Sequence, residues 1–366
     1  MIDTIKLMVS ETKFLINDYE LFTPSARGFY EKPYYSKKIK CIYNTPKKYL
    51  SKGVYNPKLT LASIWNEEQK RELALFIEFS IPKLLFGNNF EEISVNDFET
   101  VFNVLQNNLR SLNIHISLEN LRKSKVVAIH YSKNIELENT SSNFIINLLS
   151  NINVSKIIDV SKTDYKNDGM SIRFHTNYYE LTFYDKIADL KQSKISEKRA
   201  IEKDNVLQQN LLSNPIFRMK EVLRIELRLN NRKKIKSILE KCSLDVENIT
   251  FEKMLDIKIS KSMLNYFWES FVLKSLPTLC LLESETLTLQ EKMINAGIKP
   301  TVRFTLLGII EHVKSLGNKI TKELLKRNNY SRYKKYFDLI DFDDTYVYRQ
   351  LKNIETNIKN MKPMSL

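Results

Sequence analysis

From Tyr179 to Lys186 the chain reads Tyr-Glu-Leu-Thr-Phe-Tyr-Asp-Lys, an alternation with the two-residue period of a strand. Tyr179, Leu181 and Phe183 point to a core on this pattern, and Glu180, Thr182, Tyr184 and Lys186 share the opposite face, with Asp185 on the core side or ending the strand. Leu223 to Leu229 repeats it, with Leu223, Ile225, Leu227 and Leu229 inward and Arg224, Glu226 and Arg228 outward. Two shorter runs, Phe76 to Ser80 and Val126 to Tyr131, set Glu78 and His130 opposite their apolar neighbours. As neighbours in one sheet, the four segments would gather Glu78, His130, Tyr184, Lys186, Arg224, Glu226 and Arg228 on its polar face. Carboxylates and an imidazole are metal ligands, guanidinium groups hold phosphates, and a phenol of pKa about 10 attacks only with a cation beside it.

Elsewhere the period changes to that of helices. Ile5 to Val9 reads as an opening strand, while Asp97 to Leu112 carries Phe98, Val101, Phe102, Val104, Leu105 and Leu109 at helical spacing, with Asn96 or Asp97 as its cap. Ser141 to Ile152 is a second helix, and a long basic helix follows Lys186 past Glu202 until Asn214-Pro215 interrupts it. Beyond residue 245 the alternation fades. Phe251 to Lys258, Lys261 to Lys274, Leu287 to Ala296, Val302 to Leu316 and Thr321 to Lys326 read as helices, with Gly297 and Gly317 at helix ends and Thr321 as a cap. The pattern predicts an α+β fold, with an antiparallel-sheet catalytic domain over residues 1–245 and a mainly α-helical domain over residues 246–366.

Charge sharpens this picture at one place. Lys319, Lys322, Lys326, Arg327, Arg332, Lys334 and Lys335 cluster with Tyr330, Tyr333 and Tyr336 between them, opposed only by Glu323. A helix, a glycine turn and a basic second helix resemble a helix-turn-helix on duplex DNA, and a bundle with a solvated lysine face is the simpler reading of the same run. Over the whole chain 57 Lys+Arg against 43 Asp+Glu leave a formal charge of +14, which favours an anionic partner such as nucleic acid. The abundance of Lys, Asn and Ile also fits a codon bias.

Several classes of function fall away. Cys41, Cys242 and Cys280 form neither a zinc spacing nor a disulfide framework, which agrees with a reducing cytoplasm. No run approaches the roughly 20 apolar residues of a membrane span, so the expectation is a cytoplasmic protein without a membrane partner. The 7 glycines form no phosphate-binding loop, against an intrinsic nucleotide-driven motor.

Taken in order, the segments resemble the gene II and gene X replication initiation proteins of filamentous phages and related plasmid initiators. The stretches that carry the resemblance are Met1-Ile2-Asp3-Thr4-Ile5, Tyr55-Asn56-Pro57-Lys58-Leu59-Thr60, the run from Ile77-Glu78-Phe79-Ser80-Ile81-Pro82 to Gly87-Asn88-Asn89, Ile129-His130-Tyr131, Phe183-Tyr184-Asp185-Lys186 and Leu223-Arg224-Ile225-Glu226. They cover residues 1 to about 240, and the helical remainder is similar to the family's variable tail.

The resemblance implies a replication-initiator nickase, active in the cytoplasm of a bacterial host. It would cut one strand of a duplex origin through a tyrosine, leave a 5′-phosphotyrosine link and a 3′ hydroxyl primer, and rejoin the displaced strand afterwards. Tyr184 and Lys186 match the family's Tyr-x-Lys strand as nucleophile and charge partner. Glu78 and Glu226 match its metal-binding carboxylates, with His130 as third ligand to Mg²⁺ or Mn²⁺. His130 is a departure, since relatives often carry an Asp there. The paired His-hydrophobic-His signature of other nickases is absent, and His115, His130, His175 and His312 stand alone. Arg224 and Arg228 would grip phosphates near the cut, and Lys322, Lys326, Arg327 and Arg332 would contact DNA from the tail. Implied partners are duplex origin DNA, single-stranded DNA, a host helicase and a polymerase. A non-catalytic initiator or repressor that binds origin repeats is the alternative, and it needs no metal.

Overall fold

The computed structural model describes residues 1–23, 40–44, 55–65, 68, 71–152, 163–166, 170–193, 214–325 and 327–365. Its strands are β1 (Ile2–Ser10), β2 (Leu15–Ile16), β3 (Phe22–Thr23), β4 (Lys40–Tyr43), β5 (Lys58–Trp65) and β6 (Arg71–Ser80). They continue as β7 (Ile114–His115), β8 (Lys125–Glu136), β9 (Thr163–Lys166), β10 (Ser171–His175), β11 (Tyr179–Asp185) and β12 (Val222–Leu229). The fold is mixed α and β around a large antiparallel sheet. Residue contacts gather the chain into two compact units, one of Met1–Glu136, Asn177–Leu264 and Met361–Leu366, the other of Leu137–Thr176 and Asn265–Asn360. No helix among the described residues is long and apolar enough to cross a membrane.

In the first unit the strands lie in the order β3-β4-β5-β6-β1-β8-β12-β11. The four segments with clear alternation are therefore in one sheet, with β1 seated between β6 and β8. Ile5, Leu7, Leu75, Ile77, Val126, Ile129, Leu227 and Leu229 bury one face completely. Helix Arg232–Lys241 packs on β8 and β12, and helix Phe251–Met254 packs on β8. Phe251 joins sheet to helix, its ring centroid 5.8 Å from that of Phe79 and 4.8 Å from that of Phe102 on helix Phe98–Ser111. Burying rings of this size stabilises the core by about 1.5–3 kcal/mol each.

Two local devices shape the opposite, polar face. Strand β6 runs straight into helix Ile81–Phe86, where Pro82 occupies the first turn and its missing N–H is not needed. Gly87 ends the helix with φ 68°, a left-handed conformation that suits glycine, and its N–H donates to Lys83 O at 3.0 Å. Asn88 Oδ1 then accepts from Phe90 N and Glu91 N, turning the chain back on itself. Phe90 packs with Ile187, Leu190, Phe217 and Val222 in a small apolar cluster. The second device is a β-bulge: Ile2 pairs with Tyr131 and Thr4 with His130, so Asp3 is the extra residue.

The predicted helix near Asp97 is present as Phe98–Ser111, but its entry is a capping box in the preceding turn, with Ser94 N and Oγ donating to Asp97 Oδ2. Helix Ser142–Ser150 of the second unit is capped by Ser141, whose Oγ accepts from Phe144 N at 3.1 Å. After Lys186 a helix covers Lys186–Ser193, and its expected continuation past Glu202 lies outside the described residues.

The second unit also holds the β9–β10 hairpin and helices Leu276–Glu283, Thr286–Asn295, Pro300–Leu324, Arg327–Phe337 and Tyr346–Asn360. Here the pattern misled in one respect. Gly317 and Thr321 were expected at a helix end and a cap, yet both lie inside the continuous helix Pro300–Leu324, so the glycine turn of a helix-turn-helix is not formed at this place. Leu306, Ile309, Ile310 and Val313 bury one side of that helix, and an interior glycine costs only about 1 kcal/mol against it. Helix Leu276–Glu283 escaped the pattern because Thr278, Leu279, Cys280 and Leu281 are all buried, leaving no polar face to set a period.

Candidate functional site on the polar face of the sheet

Register places the polar residues of three strands side by side. Glu180, Thr182 and Tyr184 on β11 oppose Arg228, Glu226 and Arg224 on β12, which in turn oppose His130, Ser132 and Asn134 on β8. Alternation puts all of these on the face away from the core.

Arg224 is buried and surrounded by acceptors. Its Nη1 donates to Asn89 O at 2.9 Å and to Asn134 Oδ1 at 3.3 Å, and its Nη2 to Ser132 Oγ at 2.9 Å. Asp3 Oδ1 lies 3.2 Å from Nη2. Asn134 is held in turn by its Nδ2 donating to Phe90 O and its backbone N donating to Glu92 Oε1, both at 2.6 Å. Glu92 is neutralised by Lys133 Nζ at 2.6 Å. A buried ion is tolerable only with such partners, and the loop after Gly87 supplies several of them.

Glu226 is the centre of the second half. Arg228 Nε donates to Oε1 at 2.8 Å and Nη2 to Oε2 at 3.2 Å, a two-pronged grip, while Arg228 Nη1 reaches Glu180 Oε1 at 3.1 Å. Tyr184 Oη donates to Glu226 Oε2 at 3.2 Å, and His130 Nδ1 lies 3.7 Å from Oε1. Burial would raise the Glu226 pKa, but Arg228 and then Arg224 outweigh it and hold the carboxyl far below the usual range. Burial pushes the Tyr184 phenol well above 10, with Arg224 opposing and Glu226 adding to the rise. Burial also lowers His130 below 6.5, so the ring is neutral at pH 7.

Asp3, His130 and Glu226 each offer a ligand atom, and the three atoms lie within 4.8 Å of one another. Asp3 was not foreseen: strict alternation sends it to the core beside Ile5, and the bulge turns it to the polar side. The polar break between Ile2 and Ile5 was the only trace of it in the sequence. Ser132, Asn134 and Asn89 were missed as well, since their value is as partners of Arg224.

Glu78 is placed elsewhere. It pairs across β1 with Lys6, their charged atoms 3.6 Å apart, and shares with His130 the lining of a cavity of about 250 Å³. Lys186 is not on β11, because Asp185 ends the strand and its Oδ1 accepts from Ala188 N at 2.9 Å, starting helix Lys186–Ser193. The Lys186 ammonium nonetheless lies 5.7 Å from the centroid of the Tyr184 ring. It donates to Asn89 Oδ1 at 3.1 Å and Asp189 Oδ2 at 3.3 Å, and burial brings its pKa down to about 8.

Of the basic tail residues, Arg332 is exposed on helix Arg327–Phe337. Lys322 and Arg327 belong to helices but their side chains, like the whole of Lys326, lie outside the described residues. No family model, curated protein or solved structure matches this chain.

Proposed function

We propose that the chain initiates rolling-circle replication by cutting one strand of a duplex origin and rejoining the displaced strand, with Tyr184 as the attacking residue. The observation that supports this most is the hydrogen bond from Tyr184 Oη to Glu226 Oε2 at 3.2 Å. It sets a phenol against an ionised carboxylate, with the half-exposed Arg228 beside it to bind phosphate; Arg224, expected to grip phosphate as well, is buried among internal acceptors and instead fixes the charge of the site from below.

The resting phenol is protonated, and Arg228 keeps Glu226 from taking that proton. Arg228 is 36% exposed and Glu226 only 3%, so an incoming phosphate competes for the guanidinium and leaves the carboxylate more basic. Glu226 then takes the phenolic proton as Oη bonds to phosphorus. The bond from phosphorus to the 3′ oxygen breaks, the proton held by Glu226 passes through solvent to that oxygen and restores the carboxylate, and the 5′ phosphate stays on Tyr184. The Lys186 ammonium offsets negative charge building up near the ring. Reversal of these steps rejoins a strand without a nucleotide triphosphate. The free 3′ hydroxyl would prime a polymerase, with unwinding left to a separate helicase.

Asp3, His130 and Glu226 fit a divalent cation: two carboxylates and a neutral imidazole suit Mn²⁺ better than Mg²⁺, and Asp3 Oδ1, buried 3.2 Å from Arg224 Nη2, accepts no hydrogen bond of good geometry among the described residues. Such a cation, when bound, would neutralise charge on the scissile phosphate. The test is to incubate the protein with a supercoiled plasmid carrying its replicon's origin and Mn²⁺. Nicked circles with protein on the 5′ end are expected, and none from Tyr184→Phe; equal cutting by that variant would sink the proposal.

A second reading draws on the same network. Ions matched so fully by internal partners also make a rigid scaffold, and exposed Arg332, Lys334 and Lys335 would then bind duplex repeats without cutting. Intact circles with tight, salt-sensitive binding are its expected outcome.

A further inference from the structure

The polar face extends beyond the Tyr184 cluster to β1 and β6, where the cavity of about 250 Å³ opens between Thr4, Lys6, Glu78, Ala128, His130 and Asn230. Register explains the space. Glu78, Lys6 and Ala128 stand in one row across β6, β1 and β8, and the methyl group of Ala128 leaves room that a longer side chain would fill. A second β-bulge lies at its edge: Lys6 pairs with Ala128 and Leu7 with Val126, so Val127 is extra on β8. His130 is the wall shared with the Tyr184 cluster, its Nδ1 3.7 Å from Glu226 Oε1.

The lining offers an anion the Lys6 ammonium, the Thr4 hydroxyl and the Asn230 amide. Thr4 Oγ1 donates to Asp3 Oδ2 at 3.4 Å, long enough for the hydroxyl to turn to a better acceptor. Among the described residues of the lining Glu78 is the one carboxylate. It lies 3.6 Å from Lys6 Nζ, and both side chains are more than a third exposed, so the pair is weak and easily exchanged. Lys58 stands opposite Glu78 on β5, which leaves the carboxylate a counter-ion when Lys6 turns away. The Phe76 ring, its centroid 5.6 Å from Lys6 Nζ, steadies the ammonium over the sheet. Sites that enclose a whole small molecule run to about 300–1,000 Å³, so this smaller one suits a phosphate and its sugar rather than a nucleobase.

We infer that Lys6, with Thr4 and Asn230, holds a backbone phosphate of the DNA strand that is cut, and that Glu78 is the counter-ion this phosphate displaces. The inference rests on the nicking proposal for the course of the strand. With β8 and β12 between them, β1 and β11 are roughly 14 Å apart at the usual strand spacing. The phosphate on Lys6 is therefore a neighbour of the one that Tyr184 attacks, and Lys6 positions the strand without touching the reacting atoms.

The probe is a mixed-sequence single-stranded oligodeoxynucleotide of about 12 residues, added in EDTA to full-length Tyr184→Phe protein so that nothing is cut. Phosphate contacts carry no sequence information, so any sequence serves. On a single strand each such contact steepens the fall of log K with log salt by about 0.7, and Lys6→Met should lose that much slope and bind about tenfold more weakly at low salt. Glu78→Gln should act in the opposite sense, binding about fivefold more tightly with its slope kept. A merely structural Lys6 would not move the slope. Among the 4 histidine rings, the NMR signal of His130, identified by its loss in His130→Gln, should shift with the oligonucleotide in the parent and stay in place in Lys6→Met.

Equal slopes for Lys6→Met and its parent, or weaker binding by Glu78→Gln, overturn the inference; should Lys6→Met fail to fold, Glu78→Gln and the His130 signal of the parent decide. A His130 shift with inorganic phosphate and none with the oligonucleotide assigns the cavity to a small anion and overturns it too. Nicked circles from the wild type beside an unchanged slope leave the nicking proposal standing and remove this one. A lost slope without nicked circles keeps Lys6 as a strand contact and removes the nicking, and an oligonucleotide that does not bind removes this inference whatever the circles show.

Discussion

Arg224 and Glu78 project from the same polar face of one sheet, yet their surroundings are opposite. The Arg224 side chain is 2% exposed and has acceptors from β8, from β1 and from the loop after Gly87. Glu78 is 38% exposed, has Lys6 beside it at 3.6 Å, and borders a cavity. The difference follows from what covers the sheet: Phe90, Ile187, Leu190 and Phe217 exclude water beside Val222, so every ion beneath must find a partner inside the protein. Over β1 and β6 water remains, and an incomplete network costs little. A ligand is better received at the second kind of place and better oriented by the first, and the Tyr184–Glu226 pair sits beside Arg224 at the closed end, with half-exposed Arg228 as its link to solvent.

The largest expected effect comes from breaking the closed end. Arg224→Leu removes the cation and leaves Asp3, Ser132 and Asn134 facing a hydrocarbon. Destabilisation of about 3–5 kcal/mol should follow, read from urea unfolding. If this variant unfolds no more readily than a Glu78 variant, the contrast between the two ends is false.

Lys186→Met sharpens the comparison by separating stability from activity. Burial lowers the folded-state pKa of Lys186 from 10.5 to about 8, so between those values the unfolded chain binds the proton that the folded chain has released. Stability from this group therefore rises with pH across that window, and the penalty of the buried charge is fully present below it. Methionine of similar length removes the penalty. The variant should match or exceed wild type by about 1–3 kcal/mol at pH 7, with the gain shrinking as pH approaches 10.5, while nicking falls at least tenfold. A gain independent of pH would show that the ammonium is not the cause.

The same contrast explains what the sequence could and could not tell. Alternation located β6, β8, β11 and β12 and the face carrying His130, Tyr184, Arg224, Glu226 and Arg228, because period two survives wherever one side of a strand is buried. It could not locate Asp3, since a bulge breaks that period. Nor could it separate Glu78 from His130 and Glu226, because strand order is set by long-range pairing, and β1 comes between. Lys186 is expected on the strand beside Tyr184 and is instead the first residue of a helix, since the strand ends one residue earlier; the helix start carries its ammonium to 5.7 Å from the Tyr184 ring centroid. In the carboxy-terminal part Gly317 looked like punctuation and was not, for the burial of Ile309, Ile310 and Val313 outweighs one glycine. Helix Tyr346–Asn360 buries Val347, Leu351, Ile354 and Ile358 at helical spacing, a period the sequence carries in full.

The smallest effect decides between two carboxylates. Glu78→Gln breaks an ion pair whose partners are 37% and 38% exposed, and such pairs contribute about 0–1 kcal/mol, so stability should barely move. Asp3→Asn keeps the shape of the bulge and removes the negative charge from one of the three groups whose ligand atoms lie within 4.8 Å of each other. Titrating Mn²⁺ by calorimetry into both variants compares the two carboxylates without recourse to activity. Binding retained in Glu78→Gln and weakened at least tenfold in Asp3→Asn assigns the ligand to the bulge on β1. The opposite ranking would return the ion to the open end of the face, where Lys6 would have to swing away from Glu78 to admit it.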